Sequence, residues 1–255
     1  MDTFPRTQDE VETASAALDF VRLAYASRHS ADRRKRGGDF CVYDFRARRL
    51  TLAIGDASAK QSLGLRIARI LRRSFRASLW MASPSRILEA MSDALIEQAG
   101  LIPPSPTFAA VLIVTVDLEC GVLSYAAAGV EGGLVFGGPS AHVHLGATGP
   151  LLGIERYPRY EELAMRFLPG DTLVAYTDGV SEAPASTPGA CVGSSGVARS
   201  MRRVQQTGRL TIRALWKEIG SMTGHVYHDD ATLAIVTTPK SPGERLRVYP
   251  GGLDR

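Results

Sequence analysis

Strand-length apolar runs in this chain repeatedly meet an aspartate at their margin. TLVAYTDGV carries Asp178 and LTLAIGDAS carries Asp56. GGDF places Asp39 ahead of CVYDF, and HDDATLAIV is entered through Asp229. Such runs, bounded by Gly and Asp, read as strands. A strand that is to be buried does not end on a carboxylate without cause, because an unpaired charge is costly to take out of water. Asp-Gly alone is a common turn pair. Four acids at strand margins, each beside small residues, restrict the fold further: neighbouring strands must bring their ends to one place.

Several carboxylates gathered there suit a hard divalent cation. Mg²⁺ and Mn²⁺ take oxygen ligands and keep several waters. Two such ions about 3.5–4 Å apart can clamp a phosphoryl group for in-line displacement. Glycines beside the acids let backbone approach an ion, so that a carbonyl can join the ligands.

The other bulk features narrow the class. The 255 residues fit one large domain or two small ones, and 45% of them are hydrophobic, enough for a sizeable core. A net charge of +4, scattered along the chain, gives no footprint for nucleic acid. Cys41, Cys120 and Cys191 form no CxxC pair and no Cys/His cluster, so neither zinc nor a disulfide framework is expected, and a reducing cytoplasm fits. No apolar stretch reaches the ~18 residues of a membrane helix. The acidic, polar start MDTFPRTQDEVETA is unlike a signal peptide.

Along the chain, Val11, Ala14, Leu18 and Val21 fall at helical spacing and predict an amphipathic helix over 8–27. The basic run Arg33-Arg34-Lys35-Arg36 follows. CVYDF and LTLAI predict two strands, and 62–80 a helix. A second helix has Ser83 as cap, Pro84 at its first position and Gly100 at its end. FAAVLIVTVD and GVLSYAAAG predict a hairpin around Leu118–Cys120, with short strands after it. A Gly/Ser/Pro-rich loop spans 184–196, helices run to about 222, and HDDATLAIVTT is a last strand. The expected division is a helix and basic loop over 1–36, one mixed domain over 37–240, and a flexible tail over 241–255.

GGDF, GDAS, the hairpin into AAAG, PGDTLVAYTDGVSEA and DDATL occur in one order. In that order and spacing the chain resembles the SpoIIE-like branch of PPM-type metal-dependent protein phosphatases, from about Gly37 to Val236. The resemblance implies an α+β fold, a four-layer α-β-β-α sandwich of two antiparallel sheets flanked by helices. It implies two Mn²⁺ or Mg²⁺ ions held by Asp39, Asp56, Asp178, Asp229 and the carbonyl of Ala57, with Asp56 bridging both. Gly179 and Asp230 would support these ligands from behind. The implied activity is hydrolysis of phosphoserine or phosphothreonine by a water activated at the metals, on a bacterial regulatory protein such as a STAS-type anti-anti-sigma factor. With no sensor segment ahead of the domain, a stand-alone member is expected.

The sequence departs from that family at three places. Ala57-Ser58-Ala59-Lys60-Gln61 stands where the family reads Val-Ser-Gly-x-Gly, so both glycines are replaced. If the turn needs φ > 0, Ala59 and Gln61 strain it. Val130 replaces a histidine after Ala128-Gly129, and two extra residues separate Asp39 from Asp44. The basic run reads as a solvated loop; the sharper reading gives Arg34 a bidentate grip on the substrate phosphate. Two alternatives to the protein phosphatase stand beside it. One is a phosphatase-fold module that binds a partner without turning it over. The other is a two-metal hydrolase of small phosphate esters.

Overall fold

The structure, a computed structural model, describes residues 12–18, 21–30, 32, 36–99, 107–129, 132–137, 142–187, 189–208 and 210–239. They form the expected four layers. One sheet contains β3 (Phe40–Arg46), β4 (Arg49–Ala57), β5 (Ala109–Asp117), β6 (Val122–Ala128) and β9 (Leu163–Arg166), in that order. The other has the order β1 (Glu12–Leu18), β2 (Val21–Arg28), β11 (Ala231–Thr237), β10 (Thr172–Tyr176), β7 (Gly133–Phe136) and β8 (His142–Leu145). All these neighbours pair antiparallel.

Both faces of the central strands are covered, which is why their sequences are continuous apolar runs rather than alternating ones. In β10 and β11, Leu173, Ala175, Ala234 and Val236 turn inward. They meet Leu52, Ile54, Leu112 and Val114 of the facing sheet. Val174, Tyr176, Leu233 and Ile235 turn outward, onto α4 (Gly193–Gln206) and α5 (Ile212–Thr223). On the opposite side, Val42, Ala53, Val111 and Ile113 pack under α1 (Gln61–Ser78) and α2 (Pro84–Ala99). Pro84 opens α2 as expected, and Thr211 caps α5 by accepting the Ala214 N–H. Among the described residues no helix is long and apolar enough to cross a membrane.

The N-terminal segment corrects the sequence reading. The helix expected over 8–27 is a pair of strands in its described part, and β2 lies inside the sheet between β1 and β11. The relevant period is two, not 3.6: Val21, Leu23 and Tyr25 face the core between the sheets, while Ala26 faces the helices. Alanines raise helix propensity, but that preference is worth only tenths of a kcal/mol per residue. Register with β11 and burial outweigh it. The segment is thus built into the sandwich. Arg34, Gly100, Val130 and the tail beyond 239 lie outside the described residues.

Because Leu23 is buried in the core between the sheets, Leu23→Ala is expected to cost about 2–4 kcal/mol in urea unfolding. A segment merely appended to the domain would leave the midpoint unchanged.

Candidate metal centre

The topology delivers the acids to one end of both sheets. Asp39 immediately precedes β3, and Asp56 is the penultimate residue of β4, the strand paired with it. Asp178 begins the short helix α3 (Asp178–Ser181) directly after β10. Asp229 lies just before β11, which pairs with β10. One acid pair therefore comes from each sheet. Between them lies a recess lined by Gly55, Asp56, Ala110, Tyr176, Thr177 and Asp178.

Hydroxyls tie the two halves together. Asp39 Oδ2 accepts from Thr177 Oγ1 at 2.9 Å and from Thr232 Oγ1 at 2.6 Å. Thr177 Oγ1 accepts in turn from the Thr232 N–H at 2.9 Å. With its own proton given to Asp39, Thr232 Oγ1 takes a hydrogen bond from Ser27 Oγ at 2.9 Å. An acid at the edge of one sheet is thus fixed by two threonines of the other.

Gly38 and Gly179 are required by close approach. Gly38 has φ +130°, and a Cβ there would collide with Asp56 Oδ1 and stand 2.9 Å from the Ala57 carbonyl oxygen. The Ala57 N–H in turn donates to the Gly38 carbonyl at 3.2 Å. A Cβ on Gly179 would collide with the Asp230 carbonyl. Gly179 is not among the residues at positive φ, so the Asp-Gly pair serves packing of α3 on the start of β11 rather than a left-handed turn.

The two acids of HDDAT do different work. Asp230 is buried and accepts from the Ser30 N–H at 2.8 Å and the Gly37 N–H at 2.5 Å, with His29 Nδ1 at 3.3 Å. It pins the segment that presents Gly38 and Asp39. Asp229 is half-exposed, and its Oδ1 accepts from the Asp230 N–H at 2.7 Å.

Lys60 was not singled out from sequence as a site residue. Its Nζ lies 3.0 Å from Asp56 Oδ2 and 2.9 Å from Asp229 Oδ1, joining the two halves by charge. Its place four residues after Asp56 was the available signal; the contact with Asp229 was not readable from spacing. Of the two strained positions expected in this turn, Gln61 has φ +57°, while Ala59 is not in the left-handed region. Gln61 is held there by its N–H on the Arg36 carbonyl at 2.5 Å. A left-handed non-glycine residue costs roughly 1–2 kcal/mol.

Electrostatics follow from burial and like charge. Burial raises the Asp39 carboxyl well above the usual range, and the Asp56 charge adds to it, against the two threonine hydrogen bonds. Burial pushes Asp56 up to about 6 against the pull of Lys60, with Asp178 and Asp229 adding to the rise. Asp178 is raised by burial and by Asp229, and lowered by the Gly179 N–H and Lys60. Burial alone would lower Lys60, but Asp229 and Asp56 outweigh it and hold the ammonium above the ordinary lysine range.

Among the four strand-end acids, two buried oxygens have no hydrogen-bond partner: Asp39 Oδ1 and Asp56 Oδ1. Buried carboxylate oxygens normally find donors, and these two lie on acids that repel each other. An oxygen-only set of this kind fits a hard cation. Among the described residues no group of three or more acidic, histidine or cysteine side chains is arranged so as to hold one ion. The fit is therefore best on the Asp39–Asp56 side, while the Asp56–Asp229 side is met by Lys60.

Two outcomes follow. Asp230→Ala, which strands two buried backbone donors, is expected to lower metal-free stability by about 3 kcal/mol or more. Asp229→Ala is expected to change it by less than about 1 kcal/mol, as is usual for a half-exposed pair. Urea unfolding in EDTA measures both. The second concerns pH. An aspartate raised on folding favours the folded state below its unfolded pKa and loses that share as pH rises through the folded value. Metal-free stability should thus fall between about pH 4 and pH 7, with Asp56 contributing up to about 3 kcal/mol. Asp56→Asn should flatten this profile, and an unchanged slope would contradict the assignment.

Residues 46–239 match the family model described as Stage II sporulation protein E (SpoIIE). No curated protein matches by sequence. Solved structures match in fold. The RsbU and RsbW domains of Rv1364c from Mycobacterium tuberculosis align with a TM-score of 0.71 at 20% identity. That alignment covers 86% of this chain and 62% of that one, so this chain spans less than two thirds of it. The SiaA-PP2C domain of Pseudomonas aeruginosa gives 0.68 at 19% identity, over 83% and 84%. RsbX in complex with magnesium gives 0.65 at 12% identity, over 89% and 100%. Since the family match runs from the β3–β4 turn to beyond β11 and takes in three of the four strand-end acids, the chain belongs to the SpoIIE-like branch of PPM-type protein phosphatases.

Proposed function

We propose that this chain is a metal-dependent phosphatase that removes phosphate from serine or threonine of a regulatory protein, with a STAS-type anti-anti-sigma factor as the partner. The observation that carries this reading is the meeting of acids from both sheets with two buried carboxylate oxygens left unpartnered. Nothing structural requires that arrangement, since clustered carboxylates weaken a fold unless a cation joins them. Family membership and the partner-switching neighbours support the substrate class. The magnesium named with RsbX supports the metal.

In this reading Asp39, Asp56, the Ala57 carbonyl, Asp178 and Asp229 hold Mn²⁺ or Mg²⁺. When bound, the metal supplies Lewis acidity, lowering the pKa of water and neutralising charge on phosphoryl oxygens. The chain supplies position and charge. Thr177 and Thr232 fix the rotamer of Asp39. Asp230 holds the segment that brings Gly38 against Asp56. Lys60 offsets part of the negative charge that would otherwise repel a phosphate dianion. Arg34, next to this segment in sequence, is the proposed phosphate contact. The free cysteines suit a reducing cytoplasm, where such partners reside.

A second reading, the module that binds a partner without turnover, is favoured by one observation: a lysine lies where carboxylates would face a cation. Turnover separates the readings. A phosphoserine-bearing STAS protein and p-nitrophenyl phosphate are incubated with wild type or Asp178→Asn, in EDTA, Mg²⁺ or Mn²⁺. The expected result is metal-dependent release from the phosphoprotein, reduced about 100-fold or more in the variant. Partner binding without turnover under any metal would establish the module. Turnover of the small ester alone would establish the small-ester hydrolase.

A further inference from the structure

We propose that the Lys60 ammonium is a tethered cation that takes the place of one of the two ions, so that this centre binds a single divalent metal. The proposal rests on the reading of the acids as a metal centre and revises its stoichiometry.

Three observations carry it. First, Nζ contacts one carboxylate from each sheet, Asp56 Oδ2 at 3.0 Å and Asp229 Oδ1 at 2.9 Å. These are the lengths of charge-assisted hydrogen bonds. An ion bound by the same two oxygens would lie about 2.1 Å from each. It and the ammonium cannot share that space.

Second, the other oxygen of Asp56 is left free. Asp56 Oδ1 and Asp39 Oδ1 are buried and have no hydrogen-bond partner, and the lysine contact is made by the other oxygen of Asp56. One carboxylate thus meets the ammonium through Oδ2 and has no partner at Oδ1. The arrangement divides the centre into a lysine half and a metal half.

Third, the lysine is held by the backbone around it. Lys60 precedes the first residue of α1, and its carbonyl accepts the Gly64 N–H at 3.3 Å. The next residue, Gln61, is fixed at φ +57° by its bond to Arg36. Gly64 packs so closely that a Cβ would collide with the Ala59 carbonyl. The side chain is only 24% exposed, so its charge is poorly screened by solvent.

The test counts metal on the full chain. Wild type, Lys60→Met and Lys60→Arg are dialysed to equilibrium against Mn²⁺, and bound manganese per chain is measured by elemental analysis. Far-UV circular dichroism confirms folding. One ion is expected for wild type and for Lys60→Arg, and two for Lys60→Met, which keeps the aliphatic length and removes the charge. Melting temperature gives a second readout: Mn²⁺ should raise that of Lys60→Met by more degrees than that of wild type. Two ions in wild type would overturn the proposal and leave the phosphatase reading standing. One ion in Lys60→Met would also overturn it, since the lysine would not be what excludes the second. No ion in any of the three proteins would overturn the metal centre itself.

Discussion

Asp39 is fixed by hydroxyls from the opposite sheet, and the geometry of the centre depends on that tie. Two stacked sheets need only apolar contact between their inner faces; nothing in such packing sets how their ends align. Thr177 and Thr232 set it, because both donate to the same oxygen of Asp39. The second oxygen is then left without a donor beside another acid. The protein accepts a local cost in stability to keep that oxygen free, which is the usual relation between a binding site and the fold around it. Lys60 recovers part of the cost on the neighbouring side.

The layer behind the acids is more uniform in purpose. Asp230, Gly38 and Gly179 serve close approach of backbone to backbone. Asp230 takes the N–H groups of Ser30 and Gly37, and the glycines remove a Cβ where one would strike an oxygen. Neighbouring residues such as Asp229 and Asp230 thus carry opposite assignments. One is half-exposed and faces the centre, and the other is buried and holds Ser30 and Gly37.

Much of this was legible in the sequence, and the failures have physical causes. The strand-end acids were visible because a carboxylate beside an apolar run has few structural reasons to be there. The sandwich followed from runs that are apolar on both faces, together with the family resemblance. The N-terminal strands were misread because Ala-rich segments satisfy a helical period by chance, and a partner strand far along the chain decides the outcome. Lys60 stood in view four residues after Asp56, between the two replaced glycines, but its meaning required Asp229, which no local spacing reveals. The strain expected at Ala59 is absent because, of the two positions that lack glycine, only 61 is left-handed.

The insertion of β2 beside β11 bears on how the chain acquires its fold. Ser27 and Thr232 face each other across that pair, 205 residues apart in sequence. Long-range antiparallel pairing of this kind carries a large loop-closure entropy and slows folding. On the ribosome, β2 is made before β11 and must wait for it. Until then Val21 and Leu23 have β1 on one side of their strand and no strand on the other. Before residues 231–237 are made, one edge of β2 is therefore open to unintended pairing, although every strand of the facing sheet has already been made.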